Sequence, residues 1–181
     1  YPRAVVAGHC LGANIAVEFA ARYPGKTSGL VLIEPMLREG LTGSMRQIAR
    51  LRPLFGPAVW LIRALNALGI HRRRLAPLDL EELDRETRAR IAAGGPADAL
   101  LERYASPLLD LRTTPSGAYL QALIAVGDRL PDLSGIRTAV LALVSTGSTF
   151  SDPMITERLL ARFPDCQVVR LEARHWIPTE Q

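Results

Sequence analysis

The stretch Val5-Val6-Ala7-Gly8-His9-Cys10-Leu11-Gly12-Ala13-Asn14 decides the fold of this chain. Its apolar beginning is typical of a buried β-strand, and a reactive side chain flanked by two glycines follows at once. From Leu11 to Tyr23 the sequence predicts a helix, which Pro24-Gly25 would end. Strand, cysteine-bearing turn and helix in this order form the arrangement that holds a nucleophile at a sharp turn.

The two glycines of this turn have a structural reason. We expect a side chain at Gly8 or at Gly12 to collide with the neighbouring strand or helix. The first N–H groups of the helix would point at Cys10, which favours a thiolate and a developing oxyanion. The alternative is a buried structural cysteine in an ordinary strand-to-helix turn, because free cysteines are frequently core residues.

Length and composition limit the class of protein. The 181 residues allow one domain, or one domain with an insertion, and 48% hydrophobic with 22% charged residues is ordinary for soluble globular proteins. The net charge of +4 rests on arginine, and no basic–aromatic repeat indicates nucleic-acid binding. Because no apolar run is long enough for a spanning helix, we expect no stable membrane insertion.

The two cysteines, Cys10 and Cys166, do not suggest a disulfide framework. We expect both to be reduced thiols in a cytoplasmic protein. No histidine or cysteine pair has the spacing of metal ligands, so neither a metal nor another cofactor is expected. The oligomeric state is left open.

Three segments are predicted along the chain. Residues 1–35 form a strand, the helix after Cys10 and a second strand over 29–33, which is one βαβ unit of a parallel sheet. Residues 36–114 hold no strand-like run and are interpreted as a helical cap. Residues 115–181 return to the sheet with strands over 138–144 and 166–171. The helices expected in the last two segments are Gly43–Leu51, Gly56–Leu68, Asp79–Ala93, Pro96–Tyr104, Pro115–Leu130 and Pro153–Phe163.

With these pieces in this order, the sequence resembles the α/β-hydrolase superfamily, in its capped branch of esterase, epoxide-hydrolase, haloperoxidase and dehalogenase-like members. Three motifs carry the resemblance: Gly8-His9-Cys10-Leu11-Gly12, where members commonly have G-H-S-x-G; Gly29-Leu30-Val31-Leu32-Ile33-Glu34-Pro35; and His175-Trp176-Ile177-Pro178-Thr179-Glu180-Gln181, which is similar to the family's catalytic-histidine loop. The resemblance implies an α/β fold with a three-layer αβα parallel sheet. The chain starts without methionine, so we expect a fragment that holds the C-terminal half, the last four of eight strands.

The resemblance also implies a catalytic triad. Cys10 would be the nucleophile, His175 the general base, and the backbone N–H of Leu11 one donor to the oxyanion. The second oxyanion donor would lie outside this chain. His9 would be the variable residue of the turn, directed away from the nucleophile, and His71 would lie in a solvated turn of the cap.

The acid that would orient His175 has two candidates. The family usually places an aspartate shortly after the seventh strand, and Asp152-Pro153 matches in kind although it comes later than usual. Asp152 is equally suited to cap a helix whose first residue is Pro153. Glu34, at the end of the second strand, lies where some dehalogenase-like members carry their acid. The sequence favours Asp152 slightly over Glu34.

The leading functional prediction is a hydrolase that cleaves or transfers an acyl group from a small apolar ester or thioester through Cys10. Trp60, in an apolar stripe of the cap, and Trp176 are candidate substrate-binding residues. The cysteine is also similar to that of dienelactone hydrolases and polyhydroxyalkanoate synthases, so a polyester-building transferase stays open. The alternative is a non-catalytic protein of the same fold that binds a small apolar ligand.

Overall fold

The structure is a computed structural model that describes residues 1–70, 75–93, 106–147 and 149–180. In these residues four strands form one parallel sheet in the order β1-β2-β3-β4. The strands are β1 (Ala4–His9), β2 (Thr27–Ile33), β3 (Val140–Ser145) and β4 (Cys166–Leu171). Because the strands are parallel, their carboxyl ends share one edge of the sheet, where ligands of open α/β sheets bind.

Helices account for most of the remaining described residues. They are α1 (Leu11–Arg22), α2 (Gly43–Ala67), α3 (Leu80–Ala92), α4 (Pro107–Thr113), α5 (Ser116–Val126), α6 (Pro153–Leu160) and α7 (Ile177–Glu180). Among the described helices, none combines the length and the apolar character needed to cross a membrane.

The sheet of the first unit packs against two helices, of which α1 has a face of small residues. α1 packs on β1 and β2, and α6 packs on β3 and β4. Four α1 side chains at positions i, i+3, i+4 and i+7 are at most 2% exposed, as the helical period requires of a face against a sheet. These are Ala13, Ala16, Val17 and Ala20. Burial of this face fixes the start of α1, and therefore the turn before it, against the sheet.

The predicted strands are confirmed, whereas one prediction for the helices is wrong. Two helices separated by Pro53 were expected, yet α2 continues through both Pro53 and Pro57. The two prolines are four residues apart, so the N–H that Pro57 lacks is the one that would bond the Pro53 carbonyl. The lost bonds therefore fall on one face, and the other faces keep the helix intact. The helix expected over 96–104 and His71 lie outside the described residues.

Two compact units make up the chain. The first comprises Tyr1–Leu51 and Ala125–Ile177 and contains the whole sheet. The second comprises Arg52–Ile124 and Pro178–Glu180, and its described part is helical. The boundaries of the cap at residues 36 and 114 stay a prediction.

Candidate active site

Cys10 occupies the sharp turn between β1 and α1. Its φ of 58° and ψ of −122° lie in a region that residues with a side chain rarely adopt. Backbone hydrogen bonds hold this conformation from both sides: the Cys10 N–H donates to the Ile33 carbonyl at 2.9 Å, and the Cys10 carbonyl accepts from the Ala13 N–H at 3.1 Å. Strain of this kind is maintained where the surroundings over-determine it, and it is concentrated at functional sites.

The two glycines of the turn differ in what surrounds them. A Cβ at Gly8 would lie 2.1 Å from the carbonyl oxygen of Gly12, so the expected collision is confirmed there. The same expectation is wrong for Gly12, since a Cβ at Gly12 would meet no described heavy atom within 4 Å outside the local helix backbone. Among the described residues, close approach of the helix start to the strand therefore requires glycine at position 8 and not at position 12.

His175 lies in the loop after β4 and is 2% exposed. Its Nδ1 is 3.2 Å from Oε2 of Glu34, which follows β2 and is 5% exposed. The other carboxylate oxygen of Glu34 accepts a hydrogen bond from the backbone N–H of Ser145, at the end of β3. The carboxylate is thus held between the end of a neighbouring strand and the imidazole, and its orientation is fixed by both.

The protonation of His175 reflects these neighbours. Burial lowers the pKa of His175, but hydrogen bonds and charge attraction from Cys10 and Glu34 outweigh burial and raise the pKa to about 9. The imidazole therefore carries its second proton at neutral pH. Because Nδ1 faces Glu34, Nε2 is the ring nitrogen that remains for the sulfur of Cys10.

Met36 is a second neighbour of Cys10, and no sequence pattern indicated it. The Cys10 thiol donates to the sulfur of Met36, with 3.0 Å between Sγ and Sδ. Met36 is 2% exposed, and its carbonyl accepts from Nδ2 of the buried Asn14 at 2.8 Å. The polar contact from α1 fixes the segment after Glu34 beside the thiol.

Asp152, which the sequence favours as the acid that orients His175, caps a helix in the structure. Its carboxylate accepts from the Ile155 N–H at 3.1 Å and caps α6, with Pro153 in the first turn. Its own N–H donates to the Gly40 carbonyl at 2.8 Å. The observed carboxylate partner of His175 is Glu34, so the geometry does not support the preference for Asp152.

His9 lies against the histidine loop. Its Nε2 donates to the backbone carbonyl of His175 at 2.9 Å, and the two ring centroids are 5.0 Å apart. Burial is the main cause that lowers the pKa of His9. The motif predicts a variable residue directed away from the nucleophile, and it contains no sign of this contact with the residue that follows β4.

Aromatic rings surround the imidazole of His175. Phe150 stands edge-on to it with 4.6 Å between centroids, and the half-buried Trp176 does so at 5.3 Å. Phe150, which sequence reasoning missed, has no spacing rule that could have revealed it. Trp60 lies on α2 in the second unit and is 72% exposed.

The whole chain, residues 1–181, matches the model of a family described as "Alpha/beta hydrolase family". The chain belongs to this family. The parallel four-stranded sheet with helices packed on it is consistent with this family.

Individual α/β hydrolases are also similar. A monoacylglycerol lipase of Mycolicibacterium smegmatis is 27% identical over 157 residues, which cover 86% of this chain and 48% of the lipase. The chain therefore spans about half the length of this relative. A thermophilic esterase from Thermogutta terrifontis superposes with a TM-score of 0.53 at 18% identity, covering 99% of this chain and 60% of the esterase. A hydrolase from Pseudomonas aeruginosa superposes with a TM-score of 0.55 at 21% identity, covering 96% of this chain and 58% of that hydrolase. These structures support the fold.

Proposed function

We propose that this chain carries the catalytic triad of an acyl hydrolase, with Cys10 as nucleophile, His175 as acid and base, and Glu34 as the orienting acid. One observation carries the proposal: the buried Glu34 carboxylate lies 3.2 Å from Nδ1 of an imidazole whose pKa Cys10 and Glu34 together raise. A nucleophile, a base and a group that orients the base, linked in this order, define triad chemistry irrespective of fold.

In the acylation step the Cys10 sulfur, as thiolate, attacks the carbonyl carbon of an ester. The C–S bond forms, and the carbonyl oxygen takes the negative charge of the tetrahedral intermediate. The backbone N–H of Leu11, at the first position of α1, is proposed as one donor to that oxygen. Collapse of the intermediate breaks the bond to the alcohol oxygen and leaves a thioester on Cys10.

Protonation of the leaving group decides whether the tetrahedral intermediate releases the alcohol or returns to the ester and the thiolate. A thiolate leaves a tetrahedral intermediate more readily than an alkoxide, so the alcohol oxygen must be protonated as it departs. His175, with its pKa raised to about 9, holds the required proton on Nε2 at neutral pH. The raised pKa therefore keeps His175 in the protonated form that general-acid catalysis of alcohol release requires.

Deacylation returns the enzyme to its starting state. Neutral His175 accepts a proton from water, the hydroxide equivalent attacks the thioester carbonyl, and the C–S bond breaks. The products are a carboxylic acid and the Cys10 thiolate beside protonated His175. Throughout, Glu34 keeps the ring oriented and stabilises its positive charge.

The proposed substrate is a carboxylic ester or thioester with an apolar acyl chain. The similarity to a monoacylglycerol lipase supports an ester. The rings of Phe150 and Trp176 beside His175 support an apolar group next to the reacting carbonyl.

Mass spectrometry tests this proposal directly. The protein is incubated with p-nitrophenyl butyrate, quenched in acid and mapped by peptide, with neutral hydroxylamine used to release thioesters. We expect one butyryl group on Cys10, lost in Cys10→Ala and retained in the matched control Cys166→Ala. Ester turnover that survives in Cys10→Ala would contradict the proposal.

A second candidate is a ligand-binding protein without catalysis, and the contact between the Cys10 and Met36 sulfurs favours it, because there the thiol proton is directed at Met36. The variant Cys10→Ser discriminates the two. Ester hydrolysis by the serine form would indicate working triad geometry. If neither the wild-type protein nor Cys10→Ser hydrolyses esters and both still bind an apolar ligand, the binding protein would be favoured.

A further inference from the structure

The histidine loop is anchored through three consecutive backbone carbonyls. The Ala173 carbonyl accepts from the Gly147 N–H at 3.1 Å, and the Arg174 carbonyl accepts from the Ser145 hydroxyl at 2.7 Å. The third carbonyl, that of His175, accepts from Nε2 of His9 at 2.9 Å. The first two anchors come from β3 and the loop after it, whereas the third comes from the turn that carries the nucleophile.

His9 connects the turn that carries Cys10 with the loop that carries His175. His9 is the last residue of β1 and is bonded directly to Cys10. Its side chain therefore ties the backbone of the nucleophile to the backbone of the base through one contact. Anchors from β3 hold the loop against the sheet, whereas His9 joins the loop directly to the residue before Cys10.

The protonation state of His9 is compatible with this contact. A carbonyl oxygen only accepts, so the proton of His9 resides on Nε2. Burial and the charge of His175 lower the pKa of His9, while Glu34 and the bonded carbonyl oppose this change. A neutral His9 donates to the loop without adding a second positive charge beside a protonated His175.

We propose that His9 is a positioning residue, which sets the distance between the sulfur of Cys10 and the ring of His175 by clamping the His175 carbonyl to the turn. The inference rests on the proposed function, since it concerns the same reacting pair. Misplacement of a reacting group by about 1 Å can cost roughly a hundredfold in rate, so a clamp at this point has a measurable effect.

Three substitutions separate the clamp from mere packing. His9→Phe keeps a flat ring and removes the donor. His9→Gln places an amide N–H near the original Nε2 and should restore the bond to the loop. His9→Asn is polar and smaller but one bond too short to reach the carbonyl. If His9→Phe does not fold, the comparison of His9→Gln with His9→Asn still shows whether the hydrogen bond to the His175 carbonyl matters.

Two readouts follow these variants. With p-nitrophenyl butyrate, we expect kcat to fall about tenfold or more in His9→Phe and His9→Asn while KM stays within about twofold, and His9→Gln to recover most of kcat. Alkylation of Cys10 by iodoacetamide at pH 7 should slow by a similar factor in the same two variants, with Cys166 alkylation as the internal reference.

The alkylation readout keeps this inference separate from the proposed function. Should the wild-type protein form no acyl-enzyme, the proposed function fails, yet slower alkylation in His9→Asn with rescue by His9→Gln would still support the clamp. Equal kcat and equal alkylation rates in all folded variants would overturn the clamp, even if Cys10 is acylated.

Discussion

Glu34 and Asp152 have the same local sequence, a carboxylate followed by proline, and entirely different surroundings. Glu34 is 5% exposed and bonds His175 and the Ser145 N–H. Asp152 caps α6 through the Ile155 N–H. A proline after an acidic residue therefore does not indicate the function of that residue, because both a strand end and a helix start tolerate proline.

The two acids differ in how many residues separate each of them from the end of the preceding strand. Glu34 follows β2 immediately and is held at φ 48°, so its carboxylate stays beside the ends of the neighbouring strands. Asp152 comes seven residues after the end of β3, and the chain has by then paired with another loop, through the bridge between Leu41 and Ser151. Only the acid at the strand end meets the imidazole.

The largest expected effect is on activity in Glu34→Gln. The substitution keeps the shape of the side chain and removes the charge that orients and stabilises protonated His175. We expect kcat/KM for p-nitrophenyl butyrate to fall by roughly ten-thousandfold, as in triads that lose the acid's charge.

Asp152→Asn is the matched control for this loss. The amide oxygen can still cap α6, so we expect kcat/KM within about threefold of the wild-type value. A larger loss in Asp152→Asn than in Glu34→Gln would make Asp152 the acid of the triad in place of Glu34.

The pH dependence of kcat/KM should separate the two carboxylates next. With an alkyl ester, His175 must be protonated to release the alcohol, so kcat/KM should fall as the pH rises through about 9, close to tenfold per unit beyond it. Loss of the Glu34 charge should move this limb to lower pH, because that charge raises the pKa. The limb should stay in place in Asp152→Asn; an unchanged limb in Glu34→Gln would count against the proposed roles.

The smallest effect is expected on stability in Asp152→Ala. Loss of the hydrogen bond to the Ile155 N–H leaves the start of α6 without its cap, which costs about 1 kcal/mol in the free energy of unfolding. Urea denaturation at pH 7 measures it, with Asp152→Asn as the variant that retains most of the cap. A stability equal to the wild type would show that the cap contributes nothing.

Much of the fold is predictable from the sequence because its signals are local. Apolar runs identify the four strands, and the glycine at position 8 together with Cys10 identifies the turn. His175 follows the last strand, so its place at the sheet edge follows from the parallel order.

The remaining parts depend on contacts between distant segments. Pairing of Glu34 with His175 joins residues 141 positions apart, and the contact of His9 with the His175 carbonyl spans 166. No periodicity or spacing encodes such pairs. The sequence also does not predict that α2 continues through two prolines. A proline indicates a helix end at one position, whereas the stability of a helix depends on all of its backbone hydrogen bonds together.

The pKa of His175, measured by ¹H–¹⁵N NMR of the imidazole, reports which carboxylate is the partner of the ring. The proposed triad predicts a pKa near 9 in the wild-type protein, a clear fall in Glu34→Gln and no change in Asp152→Asn. A wild-type value near the ordinary 6.5, or a fall in Asp152→Asn in place of Glu34→Gln, would contradict the proposed triad.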